Sequence, residues 1–262
     1  MEQRLIMYNF PGCPFSERLE ILMALKGRSA ALVSIDIDLS APRPAWLLAK
    51  TQGSTALPAM DVAGATLKDS MVLMRYLDTA FADHPVAQPD PFRHALESML
   101  AASYAGLSAA GYKMIQNRAR AQCAPLRLAV DAQFGALDAF LRHYSPDGEF
   151  LFERFGWAET ILTPVFKRLW FLDYYEQYQI PAQYQRLLRW RTACLAHPAT
   201  QARSHNDLMK LYYDYSQGAA SGRLAPGRSV SSFALAPALD LRPMPPPDKW
   251  QAATDRGLGL LP

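Results

Sequence analysis

The residues best suited to chemistry are Pro11-Gly12-Cys13-Pro14-Phe15-Ser16, set between the short apolar run Leu5-Ile6-Met7-Tyr8 and a stretch of helical periodicity. A thiol at a helix start faces unpaired backbone N–H groups and the positive end of the helix dipole, both of which favour the thiolate. Cys13 is therefore expected to act as a nucleophile at neutral pH. Pro14 suits the first helical position, where no N–H is needed and φ is already helical, and it stiffens the turn behind the sulfur. A dithiol redox motif would carry a second cysteine three residues on. Ser16 stands there instead, so a mixed disulfide at Cys13 needs an external thiol to resolve it. The plainer reading makes Cys13 one more small buried apolar residue, and that reading suits Cys123 and Cys194 better.

Two more segments could meet a ligand at the same place. In Ala56-Leu57-Pro58-Ala59 a proline opens a strand, where a missing ladder donor is tolerated. A cis Leu57–Pro58 peptide would turn the Leu57 N–H and C=O outward, free to pair with a peptide-like ligand as an added strand does. Asp69-Ser70 reads first as a helix cap. Its hydroxyl and free N–H groups would also accept a carboxylate.

The elements that must position these groups follow from the pattern. After the first strand, Leu19, Ile21, Leu22 and Leu25 recur at helical spacing up to Gly27. A second strand is expected at Ala31–Ile35, a short helix over Ala45–Lys50, strands at Leu57–Val62 and Thr66–Leu67, and a helix after Asp69-Ser70. The order βαβαββα with a mixed sheet is the thioredoxin-like arrangement, expected over residues 1–84. Pro85, Pro89 and Pro91 mark a linker over 85–91. An all-α bundle is expected over 92–222, with helices at Phe92–Arg120, Leu126–Tyr144, Ala158–Gln177, Ala182–Ala196 and Ala199–Gln217. Residues 223–262 hold seven of the twenty prolines and read as an irregular tail.

Composition narrows the partners. The 262 residues are 50% hydrophobic, enough for a sizeable core. With 27 Lys+Arg against 24 Asp+Glu the net charge is +3, far from the basic excess that nucleic-acid binding draws on. Three widely spaced cysteines form no disulfide framework, and the apolar start is too short for a signal peptide, so a cytoplasmic protein is expected. No apolar run suggests a membrane span. The five histidines show no paired ligand spacing, and no metal is expected. The basic run Arg118-Ala119-Arg120 with Arg127 reads as a solvated helix face.

C-P-F-S-E-R-L-E-I-L-M-A-L-K-G, the A-L-P-A turn and K-D-S-M-V-L-M-R-Y-L-D, followed by an all-α half, resemble the cytosolic glutathione transferases of the omega-like, cysteine-bearing type. The resemblance implies the glutathione transferase fold, glutathione as co-substrate and a two-fold homodimer. It implies Cys13 as the active-site thiol and Phe15 behind its loop. Arg43, in the basic position of Arg43-Pro44-Ala45-Trp46, would lie near the glycine end of glutathione. Leu57 would pair with the cysteinyl backbone, Pro58 would be the cis proline, and Asp69 with Ser70 would hold the γ-glutamyl group. Asp69 stands where the family commonly has Glu, and Gly156-Trp157-Ala158-Glu159 replaces the usual Ser/Thr-x-x-Asp helix start. Within the group the chain is most similar to bacterial glutathione lyases of lignin β-aryl ether breakdown, through P-R-P-x-W-L-L-A-K, F-K-R-L-W-F-L-D-Y-Y, L-Y-Y-D-Y, G-R-S-V-S-S-F and R-P-M-P-P-P-D-K-W.

A cysteine thiolate tends to attack sulfur, where a tyrosine or serine hydroxyl would only support glutathione's own thiolate. The substrates that fit are glutathione mixed disulfides and α-glutathionyl aryl ketones, whose leaving group is an enolate. That enolate needs a hydrogen-bond and proton donor. Tyr104 and Tyr212 are the expected pair, with Tyr112, Phe166, Trp170 and Tyr213 as aromatic pocket walls, although aromatics at helical spacing more often form core. Competing readings are a general omega-like thioltransferase or dehydroascorbate reductase, a membrane-interacting protein like the intracellular chloride channels, which carry a similar C-P-F-S-x-R-L motif, a non-catalytic scaffold, and a maleyl isomerase or conjugating transferase.

Overall fold

The computed structural model describes residues 4–219 and 223–261. The expected division at 222/223 lies against residues outside those described, as does most of the Met1-Glu2-Gln3-Arg4 start. The first part of the chain runs β1 (Leu5–Asn9), α1 (Pro14–Leu25), β2 (Leu32–Asp36), α2 (Ala45–Lys50), β3 (Ala59–Val62), β4 (Ala65–Lys68) and α3 (Ser70–Ala80). The sheet order is β2-β1-β3-β4, with β1 parallel to β2 and antiparallel to β3. Pairs such as Leu5↔Leu32 and Met7↔Met60 set the register. This is the mixed βαβαββα sheet anticipated from the strand and helix signals.

One face of the sheet is covered by α1 and α3. There Leu5, Met7, Leu19, Leu22, Met23, Met60, Leu73, Met74 and Leu77 form a closed core, each such side chain contributing about 1.5–3 kcal/mol. Trp157 and Ile161 of the helical half join that core and fasten the two halves together. The other face carries a smaller cluster, Tyr8, Ile37, Leu47 and Ala59, under α2.

The second half contains α4 (Pro91–Ala102), α5 (Tyr104–Gln116), α6 (Cys123–Tyr144), α7 (Trp157–Arg168), α8 (Trp170–Glu176), α9 (Gln185–Ala196), α10 (His205–Leu211) and α11 (Tyr213–Ser216). Three expected helices are therefore broken. The stretch 92–120 divides at Ser103, whose hydroxyl bonds back to the Leu100 carbonyl, and ends at Gln116. The stretch 158–177 divides at Leu169, whose side chain fills the place a Cβ on Gly111 would take. The last helix starts at His205, not Ala199, because Ser204 caps it by accepting from Asp207 N, and it breaks again at Tyr212. At the start of α7 the Gly156 N–H donates to Glu159 Oε2 at 3.0 Å, so the glutamate supplies the cap that glycine lacks. Every residue of α7 is buried, which makes it the central helix.

The tail is irregular but firmly tied. Arg228 donates to Asp214 at 3.0 Å and also pairs with Asp255. The Lys249 ammonium, wholly buried, reaches the Met114 and Ile115 carbonyls and Glu176. Phe233 is buried in the main core, whereas Leu235 is exposed. Arg118 and Arg120 stack on Trp250, Arg118 also bonds the Ser216 carbonyl, and Arg127 bonds that of Glu176. Arg118, Ala119 and Arg120 are exposed, as a solvated face would be, and the two arginines also reach the tail. Among the described residues no helix is long and apolar enough to cross a membrane.

Candidate active site

Residues 10–13 carry the chain from the central strand into α1. The Cys13 N–H donates to the Phe10 carbonyl at 2.8 Å, closing a tight turn. Gly12 is needed there, because a Cβ would come within 2.6 Å of the Phe10 ring. Cys13 occupies the N-cap of α1, half-buried, with Pro14 following. Its Sγ lies 3.6 Å from the Leu57 carbonyl, and the Leu57–Pro58 peptide is cis.

A buried charge network supports this loop from the helical side. Arg168 donates from Nε and Nη2 to the Gly12 carbonyl at 3.0 and 2.8 Å and pairs with Glu17. Lys167 meets the other Glu17 oxygen at 2.6 Å and the Thr200 carbonyl at 2.7 Å. Burial works against ionisation of Glu17, but the charges of Arg168 and Lys167 outweigh it and hold the carboxyl below its usual range. Arg203 holds the neighbouring Pro11 carbonyl at 2.7 Å.

The same Gly12 carbonyl accepts from the Tyr212 hydroxyl at 3.1 Å. Tyr112 lies 2.9 Å from Tyr212, oxygen to oxygen; with Tyr212 donating to Gly12, Tyr112 donates to Tyr212. Burial pushes Tyr212 up to about 12, despite the nearby Arg168 charge, and burial beside Tyr212 pushes Tyr112 well above its ordinary value. Both hydroxyls keep their protons through neutral pH. The Tyr212 side chain lines, with Cys13, Pro14, Phe15, Phe10, Phe233 and one face of α5 (Ser108, Tyr112, Gln116), a cleft of about 550 Å³. A second cleft of about 570 Å³ adjoins it, sharing Leu39, Tyr215 and Phe233 and reaching Arg43 and Thr55.

Asp69 and Ser70 stand at the start of α3. Asp69 sits at φ 74°, a strained value for a residue with a Cβ, and its carboxylate accepts from Met71 N and Val72 N at 2.8 and 3.2 Å. It caps its own helix. The nearly buried Ser70 hydroxyl accepts from Arg18 Nη1 at 3.3 Å. Arg18 is fully buried and lies over the Tyr104 and Phe15 rings, 4.2 and 5.0 Å from their centroids. Desolvation pulls it down to about 10, with Tyr104 acting in the opposite sense. Arg43 is half-buried and reaches the Thr55 carbonyl at 3.4 Å. Among the described residues no three His, Cys, Asp or Glu side chains converge to hold a metal.

Four aromatic expectations are corrected. Tyr104 is held over Arg18 and lines a separate cavity of about 240 Å³ with Met71, His94 and Trp157, so the partner of Tyr212 is Tyr112. Phe166 is fully buried, packing edge-on against Trp190, as core. Trp170 packs beside His205, away from both clefts. Tyr213 is buried, and its hydroxyl accepts from Ala253 N at 2.7 Å, so it anchors the tail. Tyr215, a further tyrosine of the last helical stretch, is a cleft wall; sequence reasoning missed Arg168, Arg18 and the place of the tail's Phe233 in the cleft. Ser108, Tyr112 and Gln116 at four-residue spacing were the available signal for the cleft-facing side of α5.

Comparison with known proteins agrees with this architecture. The family described as "Glutathione S-transferase, N-terminal domain" matches residues 7–85, and "Glutathione S-transferase, C-terminal domain" matches residues 95–193. The mouse protein Glutathione S-transferase omega-1 is 24% identical over 218 residues, covering 82% of this chain and 85% of that one. Leishmania TDR1, described as a unique trimeric glutathione transferase, superposes with a TM-score of 0.71 at 20% identity over 79% of this chain; the chain spans 46% of its length. Chlamydomonas reinhardtii dehydroascorbate reductase superposes with a TM-score of 0.58 at 19% identity, over 77% of this chain and 92% of that one. At such identities the structural likenesses show the fold alone. The two family matches cover more than half the chain and follow its two halves, and the chain belongs to the glutathione S-transferase family.

Proposed function

We propose that this chain is a glutathione-dependent thiol transferase acting as a glutathione lyase: it removes glutathione from an α-glutathionyl aryl ketone, a lignin-derived aromatic, through a Cys13–glutathione mixed disulfide. The observation that carries the reading is the shared cleft, in which a half-exposed thiol at the N-cap position of α1 and the side chains of two protonated tyrosines line one aromatic-walled space. Glutathione would lie with its sulfur at Cys13, its cysteinyl backbone against Leu57, its γ-glutamyl end at Ser70 and Asp69, and its glycine end toward Arg43.

In the first step the Cys13 thiolate attacks the glutathione sulfur. An S–S bond forms, the C–S bond breaks, and its electron pair passes to the α-carbon as an enolate. The Tyr212 hydroxyl, still accepting from Tyr112, turns from the Gly12 carbonyl to the enolate and gives it the proton that completes the ketone; the thiol proton of the second glutathione restores the tyrosine. A second glutathione thiolate then attacks the glutathione sulfur of the mixed disulfide, releasing glutathione disulfide and the Cys13 thiolate. The ketone is reduced by two electrons and two glutathione sulfurs are oxidised. A homodimer belongs to the same proposal, with Val72 of α3 and Phe92 and Met99 of α4 as the exposed apolar residues available to a second copy.

The experiment supplies a glutathionyl aryl ketone with glutathione and follows ketone and glutathione disulfide together. Equal amounts of both are expected, with turnover lost in Cys13→Ser and a glutathione adduct on Cys13 found by mass when free glutathione is withheld. Turnover of glutathione mixed disulfides or dehydroascorbate, with the ketone left intact, would establish the general omega-like activity in its place.

A further inference from the structure

The tail segment that reaches the thiol cleft is fixed in place by groups that bracket Phe233 on both sides. Asp214, buried at the start of α11, accepts from Arg228 Nη1 at 3.0 Å, Ser231 Oγ at 3.1 Å and Ser232 N at 2.7 Å. Ser232 Oγ in turn donates to the Leu211 carbonyl at 2.6 Å. From the other side Arg242 donates to the Ser232 and Ala234 carbonyls. Between these anchors the Phe233 ring is 5% exposed. It packs edge-on against Phe10 at 4.8 Å and Tyr212 at 5.6 Å, and tilted against Tyr215 at 5.5 Å. It is also a wall of both clefts, the one containing Cys13 and the one reaching Arg43.

We propose that Phe233 determines specificity: it is the fixed end wall between the two clefts and sets how long an aromatic group can lie beside Cys13. The inference rests on the reading that Cys13 acts on glutathione-bearing aromatics. A ring held by a buried carboxylate and two arginines does not swing aside as an exposed aromatic on a mobile loop would. A one-ring group therefore ends against Phe233. A two-ring group runs into Phe233, which with Leu39 and Tyr215 divides the first cleft from the second, where the glycine end of glutathione would lie. Removing the ring lengthens the first cleft, of about 550 Å³, at that end.

The test uses the full chain with two matched series, mixed disulfides of glutathione with one-ring and two-ring aryl thiols, and α-glutathionyl ketones carrying one or two rings. In each series the ratio of kcat/KM for the two-ring over the one-ring member is read. The unaltered protein should favour one ring, and Phe233→Ala should raise the ratio about tenfold or more, the scale on which an apolar pocket discriminates by size. Phe233→Leu, which keeps much of the volume, should raise it less and serves if the alanine variant does not fold. An unaltered protein indifferent to length, or a folded variant with an unchanged ratio, overturns the proposal. Failure of the lyase reading looks different: the ketones are left intact while the disulfides, which need only a thiolate, still report the wall.

Discussion

Replacing Glu17 by Gln tests the charge network beneath the thiol loop. The carboxylate is 1% exposed and is the anionic partner of two cations, Lys167 at 2% and Arg168 at 1%. Glutamine keeps the shape and removes the charge, leaving both cations buried with carbonyl partners alone. Breaking a buried pair in this way costs about 3–5 kcal/mol. In a chain of this size each kcal/mol lowers Tm by about 2–4 °C, so a fall of about 10 °C is expected. The pH dependence has a definite sign. Arg168 and Lys167 hold Glu17 below its usual range, so its stabilisation is complete above the unfolded carboxyl value, about 4.3, and is lost as pH falls through the lower folded value. The Tm gap between wild type and Glu17→Gln should be constant near neutrality and close below about pH 4. Circular dichroism melts across pH 3–8 read this directly, and mass spectrometry of Cys13 glutathionylation should show a slower rate in the variant. A Tm within 3 °C of wild type, or a gap that ignores pH, refutes the account.

Two other outcomes follow from the site and the tail. Tyr212→Phe removes the hydroxyl that bonds Gly12 and Tyr112; ketone release should fall about 100-fold while exchange of Cys13 with glutathione disulfide continues, and equal loss of both reactions would deny Tyr212 a proton-donating part. Burial pushes Asp255 up, but hydrogen bonds from Arg228 and Ser229 take it down to about 2. Asp255→Asn should therefore free residues 223–261 to hydrogen exchange at neutral pH, whereas the unaltered tail should loosen only as pH falls from about 4 toward 2; full protection in the variant would show that the other anchors suffice.

Local signals located the framework well, for physical reasons. Strand 5–9 and helix 14–25 are marked by an apolar run, a turn and helical spacing, each a property of neighbouring residues. Cys13 stood out because its chemistry depends on that local geometry. The tyrosines did not, since helical periodicity gives a face and not a depth. Tyr104 and Tyr112 both lie on α5 and in one apolar pattern, and what distinguishes them is the element packed on each, Arg18 of α1 against Tyr104 and Tyr212 against Tyr112. Phe166 was drawn toward a pocket by its spacing to Trp170, yet Trp190 of α9 closes over it. The tail is illegible for a different reason: its anchors are charge pairs such as Arg228 with Asp255 and Lys249 with Glu176, which no period announces.

The Gly12 carbonyl takes three hydrogen bonds, from Arg168 and Tyr212, and all come from the half of the chain that carries no strand. The loop that carries the Cys13 sulfur is thus held by residues more than 150 positions downstream of it. Excising the sheet half, or grafting onto it the helices of a relative that lacks these two donors, would keep the strand, loop and helix while letting the thiol drift. The placement of Cys13 is a property of the junction, so the two halves make one structural unit and not a thiol module with an interchangeable cover.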